Sequence, residues 1–208
     1  MFNYDILAMV AGIPGLIIAM VVHEYSHARA AVAMGDDTPK QAGRLTLNPI
    51  AHIDPVGLIM LFVARFGWAK PVMINPGNFR NWRKGEILVA FAGPGANLIT
   101  AFLAMSVIAV LGRFHISLSD GMIFVLQLIV LYNINFAVFN LLPLPPLDGS
   151  RILAALLPGQ WAYKLAGLER YSFLILIALL MTNVLGAVLI PIQRGILFLY
   201  QIVLSVFI

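Results

Sequence analysis

The sequence predicts an all-α polytopic membrane protein, a bundle of about four to six transmembrane helices with a small membrane-associated β/loop segment between the first and second spans. Three observations carry this expectation. Of 208 residues, 61% are hydrophobic and only 11% charged, whereas a soluble domain carries charge on roughly 25% of its residues. Mean hydropathy is +0.94. Apolar runs approaching the ~20 residues that a bilayer crossing needs recur along the chain. A soluble domain of this composition would leave large apolar areas in water, and disorder is excluded by the same numbers. All residues, 1–208, read as a single membrane-embedded domain.

The first span is expected from about Ile6 to Met34. The first basic residue is Arg29, so this stretch lacks the charged start of a cleavable signal peptide and reads as mature structure. Between Gly35 and Glu86 lie Asn48-Pro49, Asp54-Pro55, Lys70-Pro71 and Asn75-Pro76-Gly77, which read as turns and short strands. The apolar piece of that segment, Gly57 to Ala64, is too short to span. A second span is expected from about Ile87 to Leu111, a third from Met122 to Leu142 and a fourth from Phe173 to Ile190. The tail from Ile196 to Ile208 is short.

Charge orients these spans. Lys40, Arg44, Arg65, Lys70, Arg80, Arg83 and Lys84 lie between the first two spans, and Arg151, Lys164 and Arg170 follow the third, whereas Arg113 and Arg194 fall opposite. The positive-inside rule then places the segment 35–86 in the cytoplasm and the N-terminus outside, in a multi-pass protein of the cell membrane. The net charge of +4 therefore follows topology, and the bilayer rather than nucleic acid is the expected partner. Trp68, Trp82 and Trp161 are suited to anchor at the interface beside the basic loops.

The chemistry begins with His23-Glu24-Tyr25-Ser26-His27, a H-E-x-x-H pattern two-thirds of the way along the first span. Helical spacing puts both imidazoles on one face, where they can share a tetrahedral zinc while Glu24 reaches the attacking water. Ionisable groups inside a span are costly to desolvate and are functional candidates by default. The competing bland reading has the histidines bonding neighbouring helices and Glu24 pairing with Arg29. With no cysteine in the chain, thiolate sites are impossible and a metal must use His or carboxylate.

A hydrolytic zinc usually takes three protein ligands and keeps one position open. Ala30 and Ala33 stand where a metzincin needs Gly and His, and no Glu lies between His27 and Glu86. His52, Asp54, His115 and Asp148 remain. Asp148 fits best: it ends Asn140-Leu-Leu-Pro143-Leu-Pro145-Pro146-Leu-Asp148-Gly149 at the cytoplasmic end of the third span. His27 is on the order of 12 Å below the inner end of its own helix at 1.5 Å per residue, within reach of a chain bent by prolines. His115 falls at the outer surface. His52 and Asp54 are on the correct side, with a polar loop role the simpler reading for each. Asn97, in Ala92-Gly93-Pro94-Gly95-Ala96-Asn97, reads as structural support that bonds to the loop segment or to another helix.

His23-Glu24-x-x-His27 in a first helix and Asn140 to Asp148-Gly149 in a later one resemble the site-2 protease family of intramembrane zinc metalloproteases. Asn48-Pro49 to Asp54-Pro55-x-Gly57, Gly67-Trp68-Ala69-Lys70-Pro71-Val72 and the Ala92 to Asn97 stretch are similar too, in the family's order, so the resemblance covers most of the chain. It implies His23, His27 and Asp148 as ligands of one Zn2+ per chain, Glu24 as catalytic acid/base, and Asn140 as a polar group that orients substrate or an oxyanion. It also implies substrates that are single-span membrane proteins or signal-peptide remnants, unwound locally and cut near the cytosolic side. Extended backbone must be presented because helical carbonyls are already bonded, and Leu45 to Asp54 is a candidate strand edge for it. The chain has room for neither a PDZ insertion nor a CBS domain and looks like a minimal core of that family.

Two other classes use the same residues: a catalytically inactive pseudoprotease scaffold and a zinc-binding transporter or sensor. Glu24 argues against both, and a transporter would show ionisable groups on several spans near the midplane. Oligomeric state is left open by the sequence.

Overall fold

A computed structural model describes residues 6–64, 68–182 and 184–207. Arg65 and Gly67, invoked above, and Ile208 at the end of the tail lie outside the described residues. The first helix, α1 (Ile6–Met34), is 29 residues long and ends where Gly35 takes φ 110°, a left-handed turn that favours glycine. There Gly35 N–H donates to Val32 O and Asp36 N–H to Ala31 O.

Asp36 follows at once and is fully buried. Its carboxylate accepts hydrogen bonds from Thr38 N–H and hydroxyl, from Asn75 N–H at 2.7 Å and from the Asn78 amide at 2.8 Å. Those bonds tie the end of α1 to the approach of the next span.

Between the two spans lie the short helices α2 (Thr38–Gln41) and α3 (Pro55–Ala64) and 3-10 turns at Pro49–Ala51 and Pro76–Asn78. Among the described residues the short strands expected here do not form. Among the described residues the segment holds one isolated antiparallel bridge, Ile53 to Ala69, and Leu45 to Asp54 is a run of bends, a 3-10 turn and that bridge rather than a strand edge. Turn chemistry explains the difference. Asn48 accepts from Ile50 N–H, Asp54 from Val56 and Gly57 N–H, and Asn75 from Gly77 N–H, while prolines at 49, 55, 71 and 76 have no N–H to give. Donors that a sheet would need are therefore absent or already used. The returning chain passes so close to α3 that a Cβ on Gly57 would sit 2.1 Å from Trp68 O.

Two long helices follow, α4 (Trp82–Arg113), capped by Asn81, and α5 (Asp120–Asn140), capped by Ser119. Asn81 Oδ1 accepts from Lys84 N–H and Ser119 Oγ from Met122 N–H, which satisfies backbone donors that the first turn of each helix leaves without helical partners. α1, α4 and α5 pack against one another as the centre of the bundle. Beyond α5 come α6 (Asp148–Leu156), α7 (Gly159–Gly167), α8 (Ser172–Leu180) and α9 (Val184–Phe207).

The fourth span differs from the expectation. The run from Phe173 to Ile190 is interrupted after Leu180, where Thr182 N–H and hydroxyl both turn back onto Leu179 O. The spanning helix is α9, and it contains Pro191, Arg194 and most of the tail read above as short. Pro191 and Arg194 look like stops in sequence, yet one lost backbone bond is tolerated in a packed span and Arg194 thereby leaves the far-side loop to which it was assigned. Leu189, Ile196, Leu197 and Tyr200 pack on Ala101, Val130, Ile134 and Val138, and Tyr200 hydroxyl donates to Leu98 O at 2.9 Å. Among the described residues four helices are thus long and apolar enough to cross a membrane, in keeping with an all-α polytopic membrane protein.

Burial pushes the Asp36 carboxyl up, but the bonds from Thr38, Asn75 and Asn78 outweigh it and hold its pKa below the ordinary carboxylate value. A carboxylate depressed on folding contributes stability above its unfolded pKa of about 3.9, and that contribution is lost as pH falls through the lower folded value. Asp36→Asn is expected to lower stability at pH 7 by about 1–3 kcal/mol and to flatten the acid limb of the melting profile. Thermal melts in detergent from pH 7 down to 3 check this, and an unchanged acid limb would count against the role given to Asp36.

Candidate metal centre

His23 and His27 lie one turn apart on α1, and both are nearly inaccessible, at 3% and 5% exposure. Asp148, the first residue of α6, reaches them across the bundle. Its Oδ2 is 3.1 Å from His23 Nε2 and 3.2 Å from His27 Nε2, and the two Nε2 atoms are 2.9 Å apart. Among the described residues, this is the group of three whose donor atoms lie within 4.8 Å of one another.

The outer nitrogen of each ring decides what the inner one is. His27 Nδ1–H donates to Val89 O at 2.7 Å, and a carbonyl can only accept. His23 Nδ1 lies 2.8 Å from Asn97 Oδ1. The Asn97 amide nitrogen is spent on Ala19 O and on Asn133 Oδ1, so its oxygen faces His23 as an acceptor and His23 Nδ1 carries the hydrogen. The two Nε2 atoms then converge on a carboxylate oxygen. Three acceptors with no donor between them repel unless a cation or a proton sits among them. Their separations approach the ~3.3 Å edges of a tetrahedron whose ligands stand about 2 Å from a small divalent ion, so the residues present fit zinc.

One face of α4 organises both histidines. Val89 O holds His27, Asn97 holds His23, and between them Gly93 has no side chain: a Cβ there would lie 2.5 Å from His27 Nε2 and 2.7 Å from His23 Cε1. Asp148 is placed by the proline-rich turn after α5, closed by Leu144 N–H to Leu142 O and Leu147 N–H to Leu144 O. Gly149 lets α6 start directly against that turn, since a Cβ would lie 2.2 Å from Leu141 O. Phe136 of α5 packs its ring edge-on to His23, with centroids 4.9 Å apart.

Glu24 is 9% exposed and does not pair with Arg29: its Oε2 accepts from Val72 N–H at 3.0 Å, so the loop between the first two spans reaches the site. Asn140 donates its amide to Phe136 O within its own helix. His52 is fully buried in the loop with Nε2 2.8 Å from Thr46 O, and Asp54 caps α3. His115 lies past the far end of α4. None of these three joins the His23, His27 and Asp148 group. Sequence reading places Asn97 in structural support, whereas it bonds a member of that group directly. Asn133, which it overlooks, holds the amide nitrogen of Asn97. A polar residue on each of two facing spans was the signal available for this pair.

A family model for peptidase family M50 matches residues 112–183. Over 180 residues the chain is 40% identical to the Bacillus subtilis protein named "Putative zinc metalloprotease YwhC", covering 85% of this chain and 82% of that one. It is 33% identical over 180 residues to "Putative zinc metalloprotease Rip2" of Mycolicibacterium smegmatis, covering 84% of this chain and 68% of the relative. For Rip2 of Mycobacterium tuberculosis strain H37Rv the identity is 32% over 181 residues with the same coverage. No solved structure matches the chain.

Asn97→Leu removes the acceptor that fixes His23 and is expected to weaken zinc binding about 10–100-fold, as loss of such a partner usually does. Gly93→Ala drives a methyl group into the histidine pair and is expected to abolish tight binding while helical content persists. Chelator competition with circular dichroism on the purified protein checks both, and wild-type zinc affinity in either variant would refute the geometry described.

Proposed function

The chain belongs to peptidase family M50, and from that premise we propose that it is an intramembrane zinc endopeptidase in which His23, His27 and Asp148 hold the metal and Glu24 is the acid/base. The observation that carries this reading is the convergence of three buried acceptor atoms beside a fourth ionisable group, Glu24. Zinc, when bound, supplies Lewis acidity that lowers the pKa of water toward 7 and polarises a peptide carbonyl.

The chain's own residues do the rest. Glu24 takes the proton of the attacking water and passes it to the leaving amine nitrogen. One of its oxygens is occupied by Val72 N–H, which leaves Oε1 for that transfer and holds the carboxylate still. Asn97 and Val89 keep both rings in the tautomer whose Nε2 is unprotonated. Asn140 has one amide hydrogen beyond the one given to Phe136, and in this reading it orients the substrate carbonyl.

The substrates we propose are transmembrane segments of single-span proteins, or signal-peptide remnants, unwound locally and cut near the cytosolic face. The basic residues between α1 and α4 and after α5 support a cytoplasmic position for both segments, with the N-terminus outside. Entry from that side suits the site, because Glu24 is met by the loop that carries those residues.

Zinc per chain in detergent-purified protein, alongside cleavage of a single-span reporter in proteoliposomes, tests the proposal. His27→Ala and Asp148→Ala are expected to lose metal and activity together. Glu24→Gln is expected to keep about one zinc while cleavage falls at least ~100-fold, the lower range for a general base. Substantial cleavage by Glu24→Gln would refute its role, and a folded wild type that takes up zinc without cutting any span would favour the scaffold or the transporter and sensor readings.

A further inference from the structure

Asp148 is the one member of the ligand group that does not come from α1, and it sits on a helix of nine residues, too short to hold its own position. One turn along that helix, Arg151 Nε donates to Glu86 Oε2 at 3.2 Å and its Nη2 lies 3.4 Å from Glu86 Oε1, a two-point contact between α6 and the first turns of α4. Glu86 is 7% exposed, so its charge is withheld from water and depends on Arg151 for compensation. Glu86, Val89, Gly93 and Asn97 follow one another at spacings of three, four and four residues, which is one face of a helix.

We propose that the Glu86–Arg151 pair is a positioning device for the third metal ligand: it locks α6 against the same face of α4 that fixes both histidines, and so sets the affinity of the site for zinc. The pair touches none of the three ligand atoms; it acts by holding the helix on which Asp148 stands. A two-point contact restrains rotation of α6 as well as its distance from α4, which one hydrogen bond would not do. In this way α4 holds His27 through a carbonyl, His23 through an amide and Asp148 through an ion pair, three independent bonds from one rigid element. The inference rests on the proposed ligand set, and its test separates the two.

The experiment is zinc affinity by chelator competition, with melting of the metal-free protein in parallel, on full-length wild type, His27→Ala, Glu86→Gln, Arg151→Gln, the double Gln variant and the exchanged pair Glu86→Arg with Arg151→Glu. Glu86→Gln is the mild variant, because it removes the buried charge and leaves Arg151, 31% exposed, to water. It is expected to weaken zinc binding by about 10–100-fold with the metal-free melting temperature nearly unchanged. The double Gln variant is expected to bind no more weakly than the poorer single one, because both remove the same contact, and the exchanged pair to recover most of the loss. Affinities within twofold of wild type in Glu86→Gln, or losses that add in the double variant, would overturn the proposal. So would a loss matched by an equal fall in metal-free stability, which marks general damage. Zinc binding unaffected by His27→Ala would instead sink the ligand assignment itself, whatever the pair does.

Discussion

Two imidazole nitrogens and a carboxylate oxygen are held 2.9 to 3.2 Å apart among buried side chains. The rest of the molecule is arranged around the repulsion this creates. Left alone, the rings would turn away or exchange tautomers, and Asp148 would seek solvent. The escape of the rings is closed by bonds made on the far side of the group: Val89 O and Asn97 Oδ1 hold the outer ring hydrogens, and Asn133 in turn holds the Asn97 amide in the orientation that makes its oxygen face His23. Such outer bonds fix ring orientation and raise the basicity of the inner nitrogen, which is what a cation would require of it.

The loop between the first two spans is the second consequence. A helix bundle alone would leave Glu24 facing either lipid or a neighbouring side chain. Here the backbone of Val72 meets it, in a stretch whose other ends are pinned by Lys70 N–H to His52 O and by Asn75 N–H to Asp36. The loop therefore joins the end of α1, the entry to α4 and Glu24 in one continuous set of polar contacts. Non-helical backbone is tolerated at such a depth only where protein surrounds it or a water-filled cavity receives it.

How much of this was legible depended on how local each feature is. His23, Glu24 and His27 are a pattern within five residues, and a helix turns that spacing into geometry without further information. Asp148 was reachable because the prolines after Asn140 advertise a turn at one membrane face. Glu86 and Asn133 carried no comparable sign, since nothing in their neighbours says which helix will face them; their roles exist only once α4, α5 and α6 are packed. The Asn-Pro, Asp-Pro and Asn-Pro-Gly punctuation of the loop announced its turns, but the short strands expected between them were misread, because the same Asn and Asp side chains cap their own backbone and take the donors a ladder would need. The fourth span was misplaced because Pro191 and Arg194 look like stops while Thr182 does not, yet it is Thr182 that turns its hydrogen bonds back on the preceding helix.

The site is also built from missing atoms. At Gly93 and Gly149 a single methyl group would come within 2.5 Å of His27 Nε2 and 2.2 Å of Leu141 O, distances that no rotamer change could relieve at Gly149, where the obstacle is backbone. Polar bonds such as those of Asn97 can be weakened by degrees, and their loss leaves a looser site. Steric allowances cannot be weakened in that way, because interiors are close-packed and the helices must then separate. α4 and α6 are free to approach α1 and α5 closely enough for the His23, His27 and Asp148 atoms to meet only because these two positions carry nothing, and the hydrogen bonds then select among arrangements that the glycines have already made possible.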